Sequence, residues 1–310
     1  MYLNKKKAKK IHELKKEKNA IILAHFYMIH EIQDLADYIG DSLELAKISQ
    51  KNDADIIVFC GVHFMAETAK ILSPEKKVLL PDLEAGCSLA DSCPPGDFKK
   101  FKEKYPDHKV ISYINCSAEI KALSDIICTS SNAVDIVNSF DKDQKLIFAP
   151  DKNLGGYINN ITGRDMILWD GTCEVHDLLT VETILKLKNK YKDAPVIAHP
   201  ECKAQILAMA DFVGSTSKLL KYTQESEKNM FIVATETGII HQMKKYSPHK
   251  EFIIVPSDEN CMCNDCPYMK EITSDKVLKS LEEEKYNIEL DDELIKKAYM
   301  PVKKMLDLSK

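Results

Sequence analysis

A chain of 310 residues, of which 45% are hydrophobic, is ordinary for a globular protein, and it has no apolar run of the roughly 18 residues that a membrane-spanning helix needs. Its net charge of −5 argues against nucleic acid as a partner. The ten cysteines belong to a chain whose lysine-rich start lacks the apolar segment of a secretory signal. We therefore expect a cytoplasmic protein that contacts neither membranes nor nucleic acid, with thiols that are buried, bind metal or catalyse.

After a predicted N-terminal helix, in which Ile11 and Leu14 face inward, the chain repeats one pattern of polar residues three times. The matched positions are His25, Tyr113 and His199; two residues later Tyr27, Asn115 and Glu201; twelve later Asp37, Asp125 and Asp211; and seventeen later Ser42, Ser130 and Thr216. The period exceeds that of solenoid repeats, so each copy is predicted to be a small domain. Three related domains would place three related sets of side chains around one axis.

Each copy is predicted to alternate strands and helices. The apolar run AIILA before His25 is typical of a buried parallel strand that ends at the polar pair. An amphipathic helix should follow, on the spacing of Ile32, Leu35, Ala36 and Ile39 in the first copy and of Ile206, Met209, Ala210 and Val213 in the third. A short strand and a second helix come next, and then two strands, such as DIIVFCG and KVLLP. We therefore predict an α/β fold of three pseudo-symmetric three-layer α/β/α sandwich domains with parallel sheets.

The predicted domain boundaries follow the repeat. The first domain should comprise residues 1–86 together with 270–310, the second 87–172 and the third 173–269. The stretch after Ser274 is predicted to form two or three amphipathic helices that pack back on the first domain, with Pro301 starting or bending the last. Asp37, Asp125 and Asp211 are predicted to stabilise their own domains rather than to bind a ligand.

Hydroxyl residues are predicted at helix starts, beyond the carboxyl ends of the strands where parallel sheets bind ligands. They are Ser42, Ser130, Ser215 and Thr216. A helix N-cap would explain each of them individually. Three helix N-termini at one point would also suit a substrate with several carboxylates or a phosphate, because such ends present free N–H groups and a positive dipole end.

The cysteines fall into two groups. Cys60, Cys116, Cys128 and Cys202 are interpreted as small buried hydrophobic residues, and Cys93 has no assigned role. The loop after the last strand of each copy contains the others: Cys87, Cys173, and the group Cys261, Cys263 and Cys266. Three converging thiolates indicate an iron–sulfur cluster or zinc. Alternatively, the last three cysteines could hold a structural zinc alone, which would leave Cys87 and Cys173 unexplained.

Several motifs together resemble the quinolinate synthase family. They are AHFY at 24–27, GDSLELA at 40–46, GVHFMAETAK at 61–70, AGCSLADSC at 85–93, the YxN of Tyr113 and Asn115, GxCxVH at 171–176, HPEC at 199–202 and CPYM at 266–269. The resemblance runs from about residue 20 to 270 in order. It implies three domains around a central [4Fe–4S] cluster and active site, and condensation of iminoaspartate with dihydroxyacetone phosphate to quinolinate, phosphate and two waters, on the route to NAD. L-aspartate oxidase or aspartate dehydrogenase would be a functional partner.

The same resemblance implies roles for individual residues. Cluster ligands fall on Cys87, Cys173 and Cys266, which leaves one iron open as a Lewis acid. The third ligand rests on the motif, because spacing from His199 favours Cys261 instead; Cys261 and Cys263 would then be free to form a reversible disulfide. Glu201 resembles the general base, with His199 and Tyr27 as proton shuttles. Substrate binding is expected of His25, Ser42, Tyr113, Asn115, Ser130, His176, Ser215 and Thr216.

Two other functions fit the same residues. A zinc-dependent lyase or hydrolase would use the thiolates to hold zinc with a bound water. A metal-stabilised, non-catalytic sugar-phosphate-binding module would use the helix starts without chemistry.

Overall fold

Three sheets of four parallel strands each form the framework of the computed structural model, which describes residues 5–257 and 264–309. The first sheet contains β1 Ala20–His25, β2 Tyr38–Gly40, β3 Ile56–Cys60 and β4 Lys77–Leu79; the second contains β5 Lys109–Tyr113, β6 Ile126–Cys128, β7 Leu146–Ala149 and β8 Ile167–Leu168; the third contains β9 Val196–Ala198, β10 Phe212–Val213, β11 Met230–Ala234 and β12 Glu251–Ile254. In every sheet the spatial order is second, first, third and fourth strand. This common topology confirms the predicted fold class.

Helices alternate with the strands along the whole chain. In chain order they are α1 Lys5–Glu17, α2 His30–Leu35, α3 Ser42–Lys51, α4 His63–Leu72, α5 Ser88–Asp91, α6 Pro95–Glu103, α7 Ala118–Leu123, α8 Ala133–Asn138, α9 Lys152–Thr162, α10 Glu174–Asp177, α11 Val181–Lys190, α12 Ala204–Leu207, α13 Thr216–Glu225, α14 Ile239–Tyr246, α15 Pro267–Lys270, α16 Ser274–Glu283 and α17 Asp292–Leu308. No helix within the described ranges is long and apolar enough to cross a bilayer.

The strands are apolar along their length because helices cover both faces of each sheet. All residues of β3 are buried, and so are all those of β7 and β9. Such strands show no polar alternation, which is why their sequences read as continuous apolar runs rather than as half-exposed strands. Cys60, Cys116, Cys128 and Cys202 are fully buried in this core, as predicted.

The first helix of each repeat is shorter than predicted. Helix α2 ends at Leu35, Ala36 is already extended, and Ile39 lies in β2. In the third repeat Met209 and Ala210 likewise follow the end of α12, and Val213 lies in β10. The helical spacing persists past the helix end because the short strand that follows also turns apolar side chains toward the core.

The aspartate after each short helix fastens that turn to the first strand, as predicted. Its carboxylate accepts a hydrogen bond from a backbone N–H of the strand, at 2.7 Å from Ile22 to Asp37, 2.8 Å from Val110 to Asp125 and 2.8 Å from Val196 to Asp211. Its own N–H donates to the carbonyl of that same residue. This reciprocal pair lets two strands of the sheet begin in register, so the repeated aspartate stabilises the fold.

We expect Asp125→Ala to lower the free energy of unfolding by about 1–3 kcal/mol, because the Val110 N–H loses its acceptor inside the sheet. The exposed Asp143 provides the matched control, and Asp143→Ala should change stability by less than about 0.5 kcal/mol. Urea unfolding followed by circular dichroism measures both. Equal midpoints for the two variants would contradict the structural role of Asp125.

The two ends of the described chain pack together. Ile11 of α1 is buried and Leu14 packs against the same core, as predicted. Helix α16 lies against α1, and Lys7 donates a 3.1 Å hydrogen bond to Ser274. Helix α17 contacts α4 of the first repeat and also α7 and β6 of the second. It therefore fastens the second sheet and its helices to the first.

Candidate active site

One cavity of about 60 Å³ lies where the carboxyl ends of strands from all three sheets meet. Its polar lining contains His25, Tyr27, Asp41, Ser42, Tyr113, Asn115, Thr129, Ser130, His176, His199, Glu201, Thr216 and Glu236, and the thiols of Cys87, Cys173 and Cys266. Of the predicted site residues, all except Ser215 line this cavity. The three repeats thus bring their matched polar residues to one place.

His25 and His199 hold equivalent positions at the carboxyl ends of β1 and β9. The backbone N–H two residues later donates to the imidazole Nδ1 in each case, from Tyr27 to His25 at 3.2 Å and from Glu201 to His199 at 3.4 Å. Burial lowers the pKa of His25 to about 4 and that of His199 to about 3, so both rings are neutral at pH 7. A neutral ring that accepts at Nδ1 carries its hydrogen on Nε2. Each histidine therefore offers an Nε2–H donor at the cavity.

Glu201 is a buried carboxylate among four polar neighbours. Its Oε2 lies 2.8 Å from His176 Nδ1 and 3.5 Å from His199 Nδ1, and its Oε1 lies 3.4 Å from Asn115 Nδ2. Tyr113 is also hydrogen-bonded to it. Burial favours the neutral acid, but the histidines and the hydrogen bonds from His176 and Tyr113 favour the carboxylate more strongly and hold its pKa below the usual range. Glu201 is therefore ionised in the ligand-free site.

Tyr27 is fixed by two threonines of the third repeat. Its hydroxyl lies 2.9 Å from Thr216 Oγ1 and 2.8 Å from Thr235 Oγ1. Burial and the nearby Glu201 carboxylate raise the pKa of Tyr27 well above its usual value, so the phenol keeps its proton at pH 7. Thr235 also bonds His176 Nε2 at 3.0 Å. The phenol and the imidazole are thus held by one shared hydroxyl.

The predicted helix starts are correct in the first and third repeats and wrong in the second. Ser42 and Thr216 are the first residues of α3 and α13, capped by Asp41 and Ser215 respectively. Ser130 lies three residues before α8, because the Asn132 side chain accepts from the Thr129 N–H and closes a turn first. Ser130 still faces the cavity, where its hydroxyl lies 3.3 Å from His199 Nε2.

Ser215 does not line the cavity, contrary to the expectation of substrate contact. It is fully buried, its Oγ lies 2.8 Å from Ser131 Oγ, and it caps α13 by accepting from the Lys218 N–H. Asp41 Oδ2 in turn accepts from Ser131 and Ser217, at 2.7 Å each. One carboxylate at the cavity therefore joins residues of all three repeats.

Three thiols occupy equivalent positions at the cavity. Cys87, Cys173 and Cys266 each stand at the N-cap of a four-residue helix, α5, α10 and α15. Burial raises the pKa of Cys87 and of Cys266 to about 12 and that of Cys173 well above its usual value, although backbone N–H groups of each short helix oppose this. A buried thiol becomes a thiolate here only when a cation compensates its charge. Three unpaired soft donors, one from each repeat, fit an iron–sulfur cluster with three protein ligands.

The position of Cys266 also bears on the choice of the third thiol. Like Cys87 and Cys173, it stands at the N-cap of a four-residue helix. This equivalence favours Cys266 as the third ligand, whereas the spacing from His199 favoured Cys261. Cys261 and Cys263, and any disulfide between them, lie outside the described residues.

A second arrangement of donors overlaps the first. Ligand atoms of Cys173, His176 and Glu201 all lie within 4.8 Å of one another, with His176 Nδ1 3.3 Å from Cys173 Sγ. Sulfur, nitrogen and carboxylate oxygen in this combination suit a single zinc ion. The site can therefore be tested for two kinds of metal.

Several site residues escaped the sequence analysis. Asp151 follows β7 and is fully buried, and Thr235 and Glu236 follow β11. The predicted positions follow the first, second and fourth strands of each repeat, whereas these three residues follow the third strand. The same positional rule, applied to the third strand, would have found them.

Glu236 and Lys270 hold the backbone near Tyr27 and Cys266. Glu236 Oε1 accepts from Lys270 Nζ at 2.6 Å and from the Cys266 N–H at 3.1 Å, and Lys270 Nζ also donates to the Tyr27 carbonyl at 2.7 Å. Gly238 packs so closely on this segment that a Cβ there would lie 2.6 Å from Tyr27 Cα. This ion pair, in which Glu236 is fully buried, ties the third repeat to the first beside the cavity.

The chain is similar to known proteins over nearly its whole length. Residues 9–307 match the family model described as quinolinate synthetase A protein. A quinolinate synthase of Synechocystis sp. is 58% identical over 299 residues, which cover 96% of this chain and 94% of the relative. A quinolinate synthase of Chloroherpeton thalassium is 56% identical over 301 residues, which cover 97% of this chain and 94% of the relative.

Proposed function

The chain belongs to the quinolinate synthase family, and we propose that it condenses iminoaspartate with dihydroxyacetone phosphate to quinolinate, phosphate and two waters. It is an enzyme of NAD biosynthesis. The observation that carries the proposal is one cavity that combines three equivalent thiols, two neutral histidines with Nε2–H donors, and an ionised carboxylate. Acid–base groups beside metal ligands are what a condensation followed by dehydration requires.

Cys87, Cys173 and Cys266 would hold a [4Fe–4S] cluster. Three ligands for four irons leave one iron without a protein ligand, and when bound the cluster would supply a Lewis acid at that open position. The backbone N–H groups at the starts of α5, α10 and α15 are directed at the three sulfurs and favour their thiolate form. Loading should release protons, because the thiols are protonated beforehand.

The substrate carboxylates and phosphate would bind at the other wall of the cavity. His25 and His199 offer Nε2–H donors there, and Ser42 and Thr216 lie at the N-termini of α3 and α13. Hydrogen-bond donors and helix dipoles bind anions in a site that excludes water, and they do so without a full positive charge. Ser130 adds a hydroxyl 3.3 Å from His199 Nε2.

Tyr113 and Asn115 would position the dicarboxylate half. Asn115 Oδ1 is buried and has no hydrogen-bond partner within the described part of the chain, while its Nδ2 faces Glu201. A buried acceptor needs a donor, and substrate carboxylates carry none at pH 7. We infer that Asn115 Oδ1 receives the N–H of the imine and so orients its nitrogen.

Glu201 would act as general base. Its carboxylate is a weak base in the ligand-free site, where the neighbouring donors lower its pKa. Anionic substrates bound beside it raise that pKa, because like charges disfavour a second charge nearby. The base therefore becomes effective when substrate is present. Tyr27, which keeps its proton, and His199 would return protons during isomerisation and loss of water.

Iminoaspartate must come from an enzyme that oxidises aspartate by two electrons. An aspartate oxidase or an aspartate dehydrogenase has this chemistry, and either would be the functional partner of this chain.

The group Cys173, His176 and Glu201 supports a second candidate, a zinc-dependent lyase or hydrolase. In that function the same carboxylate would bind metal and could not accept protons from substrate. Metal analysis distinguishes the two candidates, because only the first requires sulfide.

We expect the anaerobically reconstituted protein to contain about four irons and four sulfides per chain and to form quinolinate from iminoaspartate and dihydroxyacetone phosphate. Chromatography of the products and metal analysis provide the measurements. A colourless protein that contains one zinc and no sulfide would favour the second candidate. A loaded cluster without quinolinate formation would contradict the proposed reaction.

A further inference from the structure

We propose that Ser131 is a positioning residue for anion binding, because its hydroxyl holds the Asp41 carboxylate and thereby sets the spacing of the hydroxyls that line the cavity. The inference rests on the proposed function, in which those hydroxyls bind substrate carboxylates or phosphate. Ser131 follows Ser130 in the second repeat. It is not among the residues that line the cavity, nor among those that the sequence predicted for the site.

Ser131 contacts one residue from each of the other two repeats. Its Oγ lies 2.7 Å from Asp41 Oδ2 and 2.8 Å from Ser215 Oγ. Ser217 Oγ lies 2.7 Å from the same Asp41 oxygen. All three distances are ordinary for O–H···O hydrogen bonds. One carboxylate oxygen and three hydroxyls therefore form a single cluster where the repeats meet.

Each repeat contributes to this cluster a residue that is adjacent in sequence to a cavity hydroxyl. The pairs are Asp41 with Ser42, Ser131 with Ser130, and Ser215 with Thr216. Adjacent Cα atoms are held about 3.8 Å apart by the peptide bond, so neither member of a pair moves without the other. The contacts inside the cluster therefore determine how far the three cavity hydroxyls lie from one another.

The carboxylate determines the direction of these hydrogen bonds. It can only accept, so Ser131 and Ser217 both donate to Asp41 Oδ2. The single hydrogen of the Ser131 hydroxyl is thereby used. Ser215 must then donate to Ser131 Oγ, which links the third repeat to the first through the second.

Asp41 also brings a negative charge to the wall of a cavity that is proposed to bind anions. Its Oδ1 accepts from the N–H groups of Leu43 and Glu44 at 3.0 and 3.1 Å, and the two serines compensate the charge at Oδ2. Ser217 is shared with Glu44 Oε2 at 3.0 Å, whereas the Ser131 hydrogen is directed at Asp41 alone. Loss of the Ser131 hydroxyl therefore loosens the spacing of the cavity hydroxyls and leaves the charge less compensated. Both effects weaken the binding of an anion.

Quinolinate, the dicarboxylate product of the proposed reaction, tests this role without turnover. Isothermal titration calorimetry of the anaerobically reconstituted protein measures its Kd. We expect Ser131→Ala to raise that Kd at least about fivefold, and Ser131→Thr, which keeps the hydroxyl, to remain within about twofold of wild type. Ser139→Ala is the matched control and should match wild type, because the Ser139 hydroxyl donates to the Ile136 carbonyl at the end of α8.

Kinetics and thermal unfolding separate positioning from a purely structural role. Ser131→Ala should raise KM for at least one substrate at least about fivefold and change kcat less than about threefold, because the acid–base groups are untouched. A lower thermal midpoint with unchanged Kd and KM would overturn the proposal. An equal rise of Kd in Ser139→Ala or in Ser131→Thr would overturn it as well.

Ser217→Ala provides a second test that does not depend on the folding of Ser131→Ala. It removes the other hydroxyl donor from Asp41 Oδ2, and we expect it to raise the Kd of quinolinate at least about twofold. If Ser131→Ala fails to fold, an unchanged Kd in Ser217→Ala overturns the proposal.

The result for wild-type protein distinguishes the two inferences. Wild-type protein that binds quinolinate but forms none contradicts the proposed reaction and leaves the comparison of Kd values intact. If it does not bind quinolinate, inorganic phosphate is titrated into the same variants, and an equal Kd for phosphate in wild type and Ser131→Ala, or no binding at all, overturns the role of Ser131.

Discussion

Glu201→Gln lowers the turnover of the reconstituted protein at least about a hundredfold, if Glu201 is the general base. Glutamine keeps the size of the side chain and can still accept a hydrogen bond from His176 Nδ1, which lies 2.8 Å from the carboxylate in the wild-type site. It cannot accept a proton. The loss should therefore appear in kcat, while iron content, sulfide content and thermal midpoint stay near those of wild type.

The control for this experiment is Glu225→Gln, which removes an exposed carboxylate on the surface of α13. Its turnover should equal that of wild type, because its ion pair with Lys221 at 3.6 Å is exposed and contributes little. Near-normal turnover in Glu201→Gln would remove Glu201 from the acid–base chemistry. Loss of metal in that variant would instead indicate that the carboxylate is a ligand, as in the zinc candidate.

The repeated positions are where the sequence was most informative. His25 and His199 share both their place at the carboxyl end of the first strand and the hydrogen bond that fixes their ring, because each repeat folds in the same way. Asp37, Asp125 and Asp211 likewise make the same backbone contact in each sheet. A polar residue that recurs at the same position of each repeat is required by local geometry or by the shared cavity. Such recurrence can be recognised in a single sequence.

Residues that act between repeats could not be predicted in this way. Thr235 has no polar counterpart at the matching position of the other repeats. Its two contacts, Tyr27 and His176, come from other repeats. The place of Ser215 behind the cavity follows from its bond with Ser131 of the second repeat. Such contacts depend on how the three sheets pack against one another, and spacing along the chain does not determine that packing.

The positions of helix ends also could not be predicted from the sequence pattern. Apolar periodicity continues from α2 into β2, so it gave no sign that the helix stops at Leu35. The end depends on Asp37 reaching the backbone of Ile22, a contact between neighbouring strands. Ser130 was misassigned for a similar reason, since Asn132 closes a turn before α8 begins.

Replacing Cys87, Cys173 or Cys266 by serine should abolish the cluster in each case, because a serine oxygen is a poor ligand for iron in place of a soft thiolate. Iron and sulfide should fall from about four each per chain to near zero after reconstitution, together with quinolinate formation. Cys261→Ser and Cys263→Ser are the controls and should retain a full cluster.

The pattern across the variants discriminates between the metal sites: a zinc ion held by Cys173, His176 and Glu201 would be lost only in Cys173→Ser, so retention of metal in both Cys87→Ser and Cys266→Ser would contradict a shared cluster. A full cluster in Cys266→Ser combined with its loss in Cys261→Ser or Cys263→Ser would move the third ligand to that earlier cysteine, and would mean that the equivalent N-cap positions of Cys87, Cys173 and Cys266 do not identify the ligand set.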